Sequence, residues 1–434
     1  MARLLVIGAV WPEPHSSAAG AHILQVLRPF LQQGWDVTYA STALDSKYAV
    51  DLPTQGVSVE RVRVNDSEFD DLLRALKPDV VIFDRFFVEE QFGWRVEQQC
   101  PSALRVLNSE DLHSLRDARE AVFRQGTSPR GLRGDVQTGA PGGIPPEVLL
   151  GNEMARREVA AIYRSDLTLI ISAHEMEVLT NIFGVDSDLL HYCPFMIDSP
   201  TPLETARMPS FENRRNFFWV GNFRHAPNWD AVQWLKSGIL PLIRKELPEA
   251  CLQIAGSYAS QEQMALHEPE QGFIVEGRIE NADDRLLDAR VCLAPLRFGA
   301  GLKGKLIDAM RNGTPSVTTA VGAEAIAGGL PWSGAIQESA ALIAQSAVRL
   351  YESEREWQDA QSNGFQILDR RFNRQEQEHL LMEQIDFARR KLDQRRAHNF
   401  TGAMLRDHHH RSTRYLSLWI EAKGQLATRA DSTE

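Results

Sequence analysis

The sequence predicts an α/β protein of two domains, each a parallel sheet covered on both faces by helices. Three observations carry that expectation. The chain has 434 residues, more than one core usually organises, so two domains of about 200 residues follow. Short apolar runs alternate with stretches of helical periodicity through the first part of the chain. The alternation then restarts beyond a segment rich in Pro, Ser, Glu and Arg at 194–215. Strand–helix–strand alternation of this kind builds parallel sheets.

In order, the first strand falls in Arg3–Val10. It is followed by a helix over Ala21–Gln33, whose Ile23, Val26, Leu27, Phe30 and Leu31 recur at helical spacing until Gly34 stops it. Further strands are expected at Asp36–Ser41, Val57–Val64, Asp79–Phe83, Ala103–Asn108 and Leu167–Ser172. The second series runs through Asn216–Val220, a helix near Asn228–Leu247, Cys251–Ala255, Phe273–Glu276, Val291–Ala294, a helix over Leu302–Arg311 and Ser316–Thr319. From Glu338 to about Arg396 the pattern is continuously helical. The expected organisation is an N-terminal domain over 1–200, a C-terminal domain over 210–372, a helix over 373–396 returning to the N-terminal domain, and a tail over 397–434.

Composition narrows the function classes. The net charge of −11 excludes a general nucleic-acid binder, while leaving room for a local basic pocket. The four cysteines, Cys100, Cys193, Cys251 and Cys292, are scattered without paired spacing, so neither a disulfide framework nor a zinc site is indicated and a reducing cytoplasm fits. The apolar run at the N-terminus is too short for a secretory signal, and no run approaches a membrane span. The expected location is cytoplasmic, with any membrane contact peripheral and at the inner face.

Two segments break the pattern. Residues 125–146, dense in Gly and Pro, read as a mobile surface loop, either a disordered insertion or a lid on the acceptor side. The tail contains DHHHRSTRYLSLWIEAK, where three adjacent histidines are incidental to a polar tail and the apolar residues imply that part of it docks.

The chemistry is concentrated in APLRFGAGLKGKLIDAMRNGTPSVTT, Ala294–Thr319. A strand ends at Pro295, and Gly299, Ala300, Gly301 and Leu302 open into a helix. Glycines there let the backbone approach a ligand, and the first N–H groups of the helix point outward. With the helix dipole, Lys303, Lys305 and a potentially bidentate Arg297, such a bend suits a diphosphate. Asp308, on the Lys305 side of the helix, suits ribose hydroxyls. The plain alternative is a strand–helix turn with solvated lysines. The segment is neither a Walker motif nor the dinucleotide fingerprint GxGxxG.

This stretch resembles the donor-binding signature of the GT-B glycosyltransferases, specifically the retaining family 4. Two further segments are similar to that family: FFWVGNFRHAPNWDAVQWL (217–235), and VLNSEDLHSLRDARE (106–120), which by that resemblance presents an acidic group and a histidine into the cleft. The likeness spans roughly 1–395 and implies two Rossmann-like domains facing a cleft, with a helical C-terminal extension. It implies that Gly221 and Arg224 lie beneath the donor diphosphate and that Lys303 and the Gly299–Gly301 amides neutralise it. By the same resemblance Asp308 binds the ribose, Gly277 and Arg278 line the base pocket, Gly20 approaches the diphosphate or acceptor, and His113 contacts the transferred sugar. The family's first glutamate falls at Ala300, so no carboxylate acts there. By themselves, His113 also fits an exposed helix residue, Arg224 and His225 a loop decoration, Glu110 and Asp111 first-turn acids, and the tryptophans Trp219, Trp229 and Trp234 core packing.

The resemblance therefore implies a hexosyltransferase that moves sugar from a UDP-, GDP- or dTDP-sugar to a saccharide, lipid-linked or other acceptor, in polysaccharide biosynthesis. Retention of configuration, no cofactor and no metal are expected. Two alternatives stand beside it: a catalytically degenerate relative that binds nucleotide sugar or scaffolds polysaccharide assembly, which Ala300 favours, and a sugar-nucleotide epimerase.

Overall fold

The computed structural model describes residues 1–124 and 143–431. Its N-terminal sheet holds β1 (Arg3–Gly8), β2 (Asp36–Ser41), β3 (Ser58–Arg61), β4 (Val80–Asp84), β5 (Leu104–Glu110), β6 (Leu167–Ile170) and β7 (Leu190–Tyr192), in the spatial order β3-β2-β1-β4-β5-β6-β7. The C-terminal sheet holds β8 (Arg215–Val220), β9 (Leu252–Ala255), β10 (Phe273–Gly277), β11 (Ala289–Ala294), β12 (Ser316–Thr318) and β13 (Gly334–Ile336), in the order β10-β9-β8-β11-β12-β13. All these pairs are parallel. Both sheets thus have the same doubly wound order, with a switch point between β1 and β4 and between β8 and β11. Ligands of such sheets bind outside the carboxyl ends of strands at the switch point.

The central strands are largely apolar because helices cover both faces of each sheet, while the edge strand β3 is exposed. In the N-terminal domain Leu5, Ile7, Val81, Phe83 and Leu107 belong to one core, and Leu4, Val6, Val80, Ile82 and Val106 to another on the opposite face. The second core includes Val26 and Phe30 of the helix Ala18–Gln32. It also includes Leu381, Met382 and Ile385 of the helix Arg374–Arg390, so the chain returns from the C-terminal domain to seal the N-terminal one. Phe217, Trp219, Ile254, Val291 and Leu293 sit in the corresponding core of the C-terminal domain.

Several boundaries differ from the sequence reading, each for a local reason. Strands β7 and β13, three residues each, are too short to show a period. The helix expected near Asn228–Leu247 runs as Ala226–Trp234, a π-helical stretch Leu235–Ile239, and Leu240–Glu246. Pro241 lacks the N–H an unbroken α-helix would use, and the widened turn lies just before it. The continuous pattern from Glu338 is divided into Ala340–Glu352, Glu354–Arg371, Arg374–Arg390 and Leu392–His398. Ser353 ends one helix and starts the next, and Asn373 starts the one after Phe372, each accepting a backbone N–H of the following turn.

The largest correction concerns the tail, which is a 32-residue helix, Phe400–Asp431. It lies against the helices Phe86–Gln99 and Glu153–Arg164 of the N-terminal domain. Its histidines have structural partners: His410 bonds Glu97, and His409 Nε2 meets the Glu90 carbonyl at 3.4 Å. Of the loop expected at 125–146, residues 125–142 lie outside the described residues, and Ile144 beyond them is fully buried. All four cysteines are free thiols. Among the described residues no helix is long and apolar enough to cross a membrane.

Candidate functional site

A cleft of about 1210 Å³ lies where the carboxyl ends of the two sheets face each other. Its N-terminal wall comes from the loop after β1 and from the β5 end, and its C-terminal wall from the loops after β8 and β11. Two helices aim their N-termini at it. The helix Ala18–Gln32 is capped by Ser17, whose hydroxyl accepts the Gly20 N–H at 3.0 Å. The helix Gly304–Arg311 starts opposite, so close that a β-carbon on Gly304 would stand 2.8 Å from that of Ala18. The first N–H groups of both helices have no acceptor inside their own helix, and both dipoles present positive ends. Convergence of two such ends favours an anion.

Ten of the sequence-derived residues line this cleft: His113, Gly221, Arg224, Gly299, Ala300, Gly301, Leu302, Lys303, Lys305 and Asp308. Four do not. Gly20 lies behind the wall, where a β-carbon would come within 2.6 Å of the Glu13 carbonyl oxygen, so its smallness lets the 13–17 loop close over the helix. Gly277, with φ +71°, uses its carbonyl to accept the Gly256 N–H at 2.8 Å. Arg278 stacks over the Tyr48 ring, 4.1 Å from its centroid. Arg297 is held by both Asp230 oxygens at 2.6 and 2.9 Å and lies against Trp234 and Phe123, so its fork is turned away from the position expected of a phosphate ligand.

The glycine bend itself needs a correction. The Gly301 N–H, expected to face a diphosphate, donates to Glu175 Oε1 at 2.8 Å, and Lys303 Nζ folds back onto the Gly301 and Ala300 carbonyls at 2.7 and 3.1 Å. Gly301 has φ +65°, and a β-carbon there would lie 2.8 Å from Cβ of Asp111. The bend is therefore packed against the N-terminal domain, and the amides left toward the cleft are those that begin the following helix.

Its electrostatics centre on Asp111 and on site residues that the sequence had named. Burial would raise the Asp111 carboxyl, but Arg116, followed by His113, His225 and Arg85, holds it at about 2, so it is an anion inside the cleft. His113 is pushed down to about 4 by burial, with Asp111 opposing, so its ring is neutral. Its Nε2 lies 3.8 Å from Asp111 and the ring meets Phe86 edge-on. Burial also lowers Lys303, against the pull of Glu324, and takes Lys305 down to about 7. Lys305 Nζ donates to Asn228 Oδ1 at 2.8 Å, above the fully buried Trp219. Burial and the neighbouring Asp283 lift Asp308 to about 6, with Arg311 opposing. Asp111 sits inside the NSEDLH run that drew attention to His113. Glu175 carries no motif at all.

Cross-domain contacts frame the cleft. Arg119 donates to the Gly299 carbonyl at 2.7 Å and grips both Glu324 oxygens at 2.6 and 2.9 Å. At the opposite lip Ser257 Oγ bonds Ser16 Oγ at 3.1 Å, and the Tyr258 hydroxyl donates to Glu13. Among the described residues no three His, Cys, Asp or Glu side chains form a group suited to a metal ion.

This architecture, with a two-domain cleft and an anion-directed helix start after β11, is that of the GT-B glycosyltransferases. Residues 214–353 match the family model for glycosyl transferases group 1, so the C-terminal domain is similar to that family and the two-domain architecture is the GT-B fold. No curated protein is similar to it in sequence. Among solved structures it is similar to sucrose-phosphate synthase from Thermosynechococcus elongatus, with TM-score 0.61 and 14% identity over 91% of this chain and 100% of that one. HepE from Anabaena, in complex with UDP and glucose, gives TM-score 0.60 and 12% identity over 88% and 99%. WaaG, a glycosyltransferase involved in lipopolysaccharide biosynthesis, gives 0.56 and 12% over 89% and 99%. At such identities the likeness establishes the fold.

Proposed function

We propose that the chain transfers a sugar from a nucleoside-diphosphate sugar to an acceptor hydroxyl, with retention of configuration and without a metal. The observation that carries this reading is the convergence of two helix N-termini, at Ala18 and Gly304, on one cleft between the domains. Departure of a nucleoside diphosphate puts negative charge on the leaving oxygen while the sugar ring becomes oxocarbenium-like. Helix amides with Lys303, Lys305 and Arg224 then serve as the preorganised positive side of the site.

In the proposed reaction the bond from C1 to the diphosphate breaks with its electron pair passing to the leaving oxygen. The acceptor hydroxyl attacks C1 on the same face, and its proton passes to a leaving-phosphate oxygen. Asp111, anionic beside the bend, offsets the positive charge of the ring, and neutral His113 orients a sugar hydroxyl. Asp308 receives ribose hydroxyls. HepE is solved with UDP-glucose, which makes a UDP-sugar the first donor to try. The acceptor reading is a saccharide or lipid-linked glycan in polysaccharide assembly, in the cytoplasm. A non-transferring binder of nucleotide sugar is the second reading, favoured by the buried methyl of Ala300 at the family's carboxylate position.

A thermal-shift screen with UDP-, GDP- and dTDP-sugars tests the proposal, coupled to measurement of nucleoside diphosphate released. One donor is expected to stabilise the chain, with the shift lost in Asp308→Asn and Lys303→Ala. Stabilisation that survives both substitutions refutes the site, and binding without diphosphate release under any acceptor selects the second reading.

A further inference from the structure

The C-terminal helix Phe400–Asp431 is amphipathic in the reverse of the usual sense. A surface helix ordinarily buries its apolar stripe and offers its polar face to water. Here the docked face is polar. Arg406 Nε lies 3.1 Å from Glu97, His410 bonds the same carboxylate, Ser417 is buried, and Glu421 accepts the Ser67 N–H at 3.1 Å. The outward face carries Met404, Tyr415, Trp419 and Leu426, with Tyr415 69% and Trp419 60% exposed, flanked by Leu416. Burying these side chains against something would remove far more apolar surface from water than the docked face does.

The charges beside the stripe select what covers it. From Phe400 to Thr428 the exposed charged side chains are Asp407, Arg411, Arg414 and Lys423, a net basic set on a chain whose net charge is −11. Arg411 shares Asp407 of the preceding turn at 2.8 Å, and Lys423 Nζ lies 5.1 Å from the Trp419 ring centroid. An anionic surface with an apolar interior matches all three features: phosphates for the cations, the interfacial zone for Tyr and Trp, and acyl chains for Met and Leu. At 32 residues the helix is about 48 Å long and, docked along its length, would lie flat.

We infer that the outward face of this helix docks the protein on an anionic lipid bilayer. The inference stands independently of the sugar-transfer reading. The full chain is sedimented with vesicles of phosphatidylcholine alone and of phosphatidylcholine mixed with phosphatidylglycerol. Binding to the mixed vesicles only is expected, weakening as salt rises. The variants Tyr415→Ser/Trp419→Ser/Leu426→Ser and Arg414→Glu/Lys423→Glu should each lower affinity about tenfold or more, with melting temperature and donor-induced stabilisation unchanged because every altered side chain is exposed. Equal or absent binding to the two vesicle types overturns the inference. So does self-association of the wild type in analytical ultracentrifugation that the triple serine variant abolishes, which would make the stripe an interface between copies.

Discussion

Glu175, from the N-terminal domain, accepts the backbone N–H of Gly301, from the C-terminal domain, at 2.8 Å, and the same Oε1 accepts the Leu112 N–H at 3.0 Å. One buried carboxyl therefore ties the proposed donor loop to the segment carrying Asp111. Burial, reinforced by the Asp111 charge, lifts it to about 8 from a usual 4.5. Its folded state keeps a proton that the unfolded chain releases above 4.5, so stability should fall as pH rises from there to about 8, by up to about 1.4 kcal/mol per unit. Glu175→Gln keeps the acceptor oxygen and cannot ionise, so its thermal stability should decline less than wild type between about pH 5 and pH 8. Glu175→Ala orphans two buried N–H groups and should cost about 2–4 kcal/mol at any pH. A glutamine variant with the wild-type pH profile would show that Glu175 is ionised throughout.

His22 and Glu110 form a second buried pair on the N-terminal side, with Nδ1 2.9 Å from Oε1 and Nε2 3.0 Å from the Cys193 carbonyl. Burial alone would lower the imidazole, but the Glu110 charge and these bonds carry it up to about 10. A raised imidazole contributes stability that is whole below the unfolded value of about 6.5 and disappears as pH climbs through the folded value. Glu110→Gln leaves a buried cation without its anion and should cost about 3–5 kcal/mol. His22→Gln/Glu110→Gln should cost clearly less than the two single changes added together, measurable by urea unfolding. Simple additivity would mean that the two groups do not interact.

The fold was legible because it rests on repeated local signals. Runs such as LLVIG and VVIF are buried on both faces, and the inner strands of a covered parallel sheet need that pattern. The helix start that faces the cleft was legible for a related reason, since glycines, lysines and the start of Gly304–Arg311 sit within one short segment, whereas the packing of the bend before it was not. What was hidden depends on tertiary proximity. Glu175 sits on an unremarkable helix and gains its role only because Gly301 folds against it. Arg297 looked like a phosphate ligand until Asp230, distant in sequence, satisfied it. The sequence marked apolar residues in the tail that could dock, but not that the polar face of its helix would be the one docked, because periodicity does not say which face meets a neighbour.

Asp111 lines the cleft from the NSEDLH run, and its place there makes a kinetic prediction. Held at about 2, it stays anionic throughout the working range. Its charge helps most when the sugar ring is positive, which is in the transition state. Asp111→Asn should therefore lower kcat about 10²- to 10³-fold, while the donor Kd, read by titration calorimetry, moves much less. A comparable loss in donor affinity and in kcat would reassign Asp111 to ground-state binding.

Arg119 and Glu324 close the cleft on the side opposite Ser16, and their geometry predicts how the domains respond to a small change in shape. The guanidinium spans the Gly299 carbonyl and both carboxylate oxygens, holding Glu324 at about 2 against the effect of its burial. That depressed carboxylate contributes stability above its unfolded value of 4.5, lost as pH falls toward about 2. Arg119→Lys keeps the charge but offers a single ammonium where a planar fork bonded the Gly299 carbonyl and the Glu324 carboxylate together, and should cost about 1–3 kcal/mol. Because Gly299 begins the donor bend, loosening it should also raise KM for the donor more than it lowers kcat, and small-angle scattering should show a larger radius of gyration without donor. If scattering and KM are unchanged while stability falls, the pair stabilises the closed arrangement without governing access to the cleft.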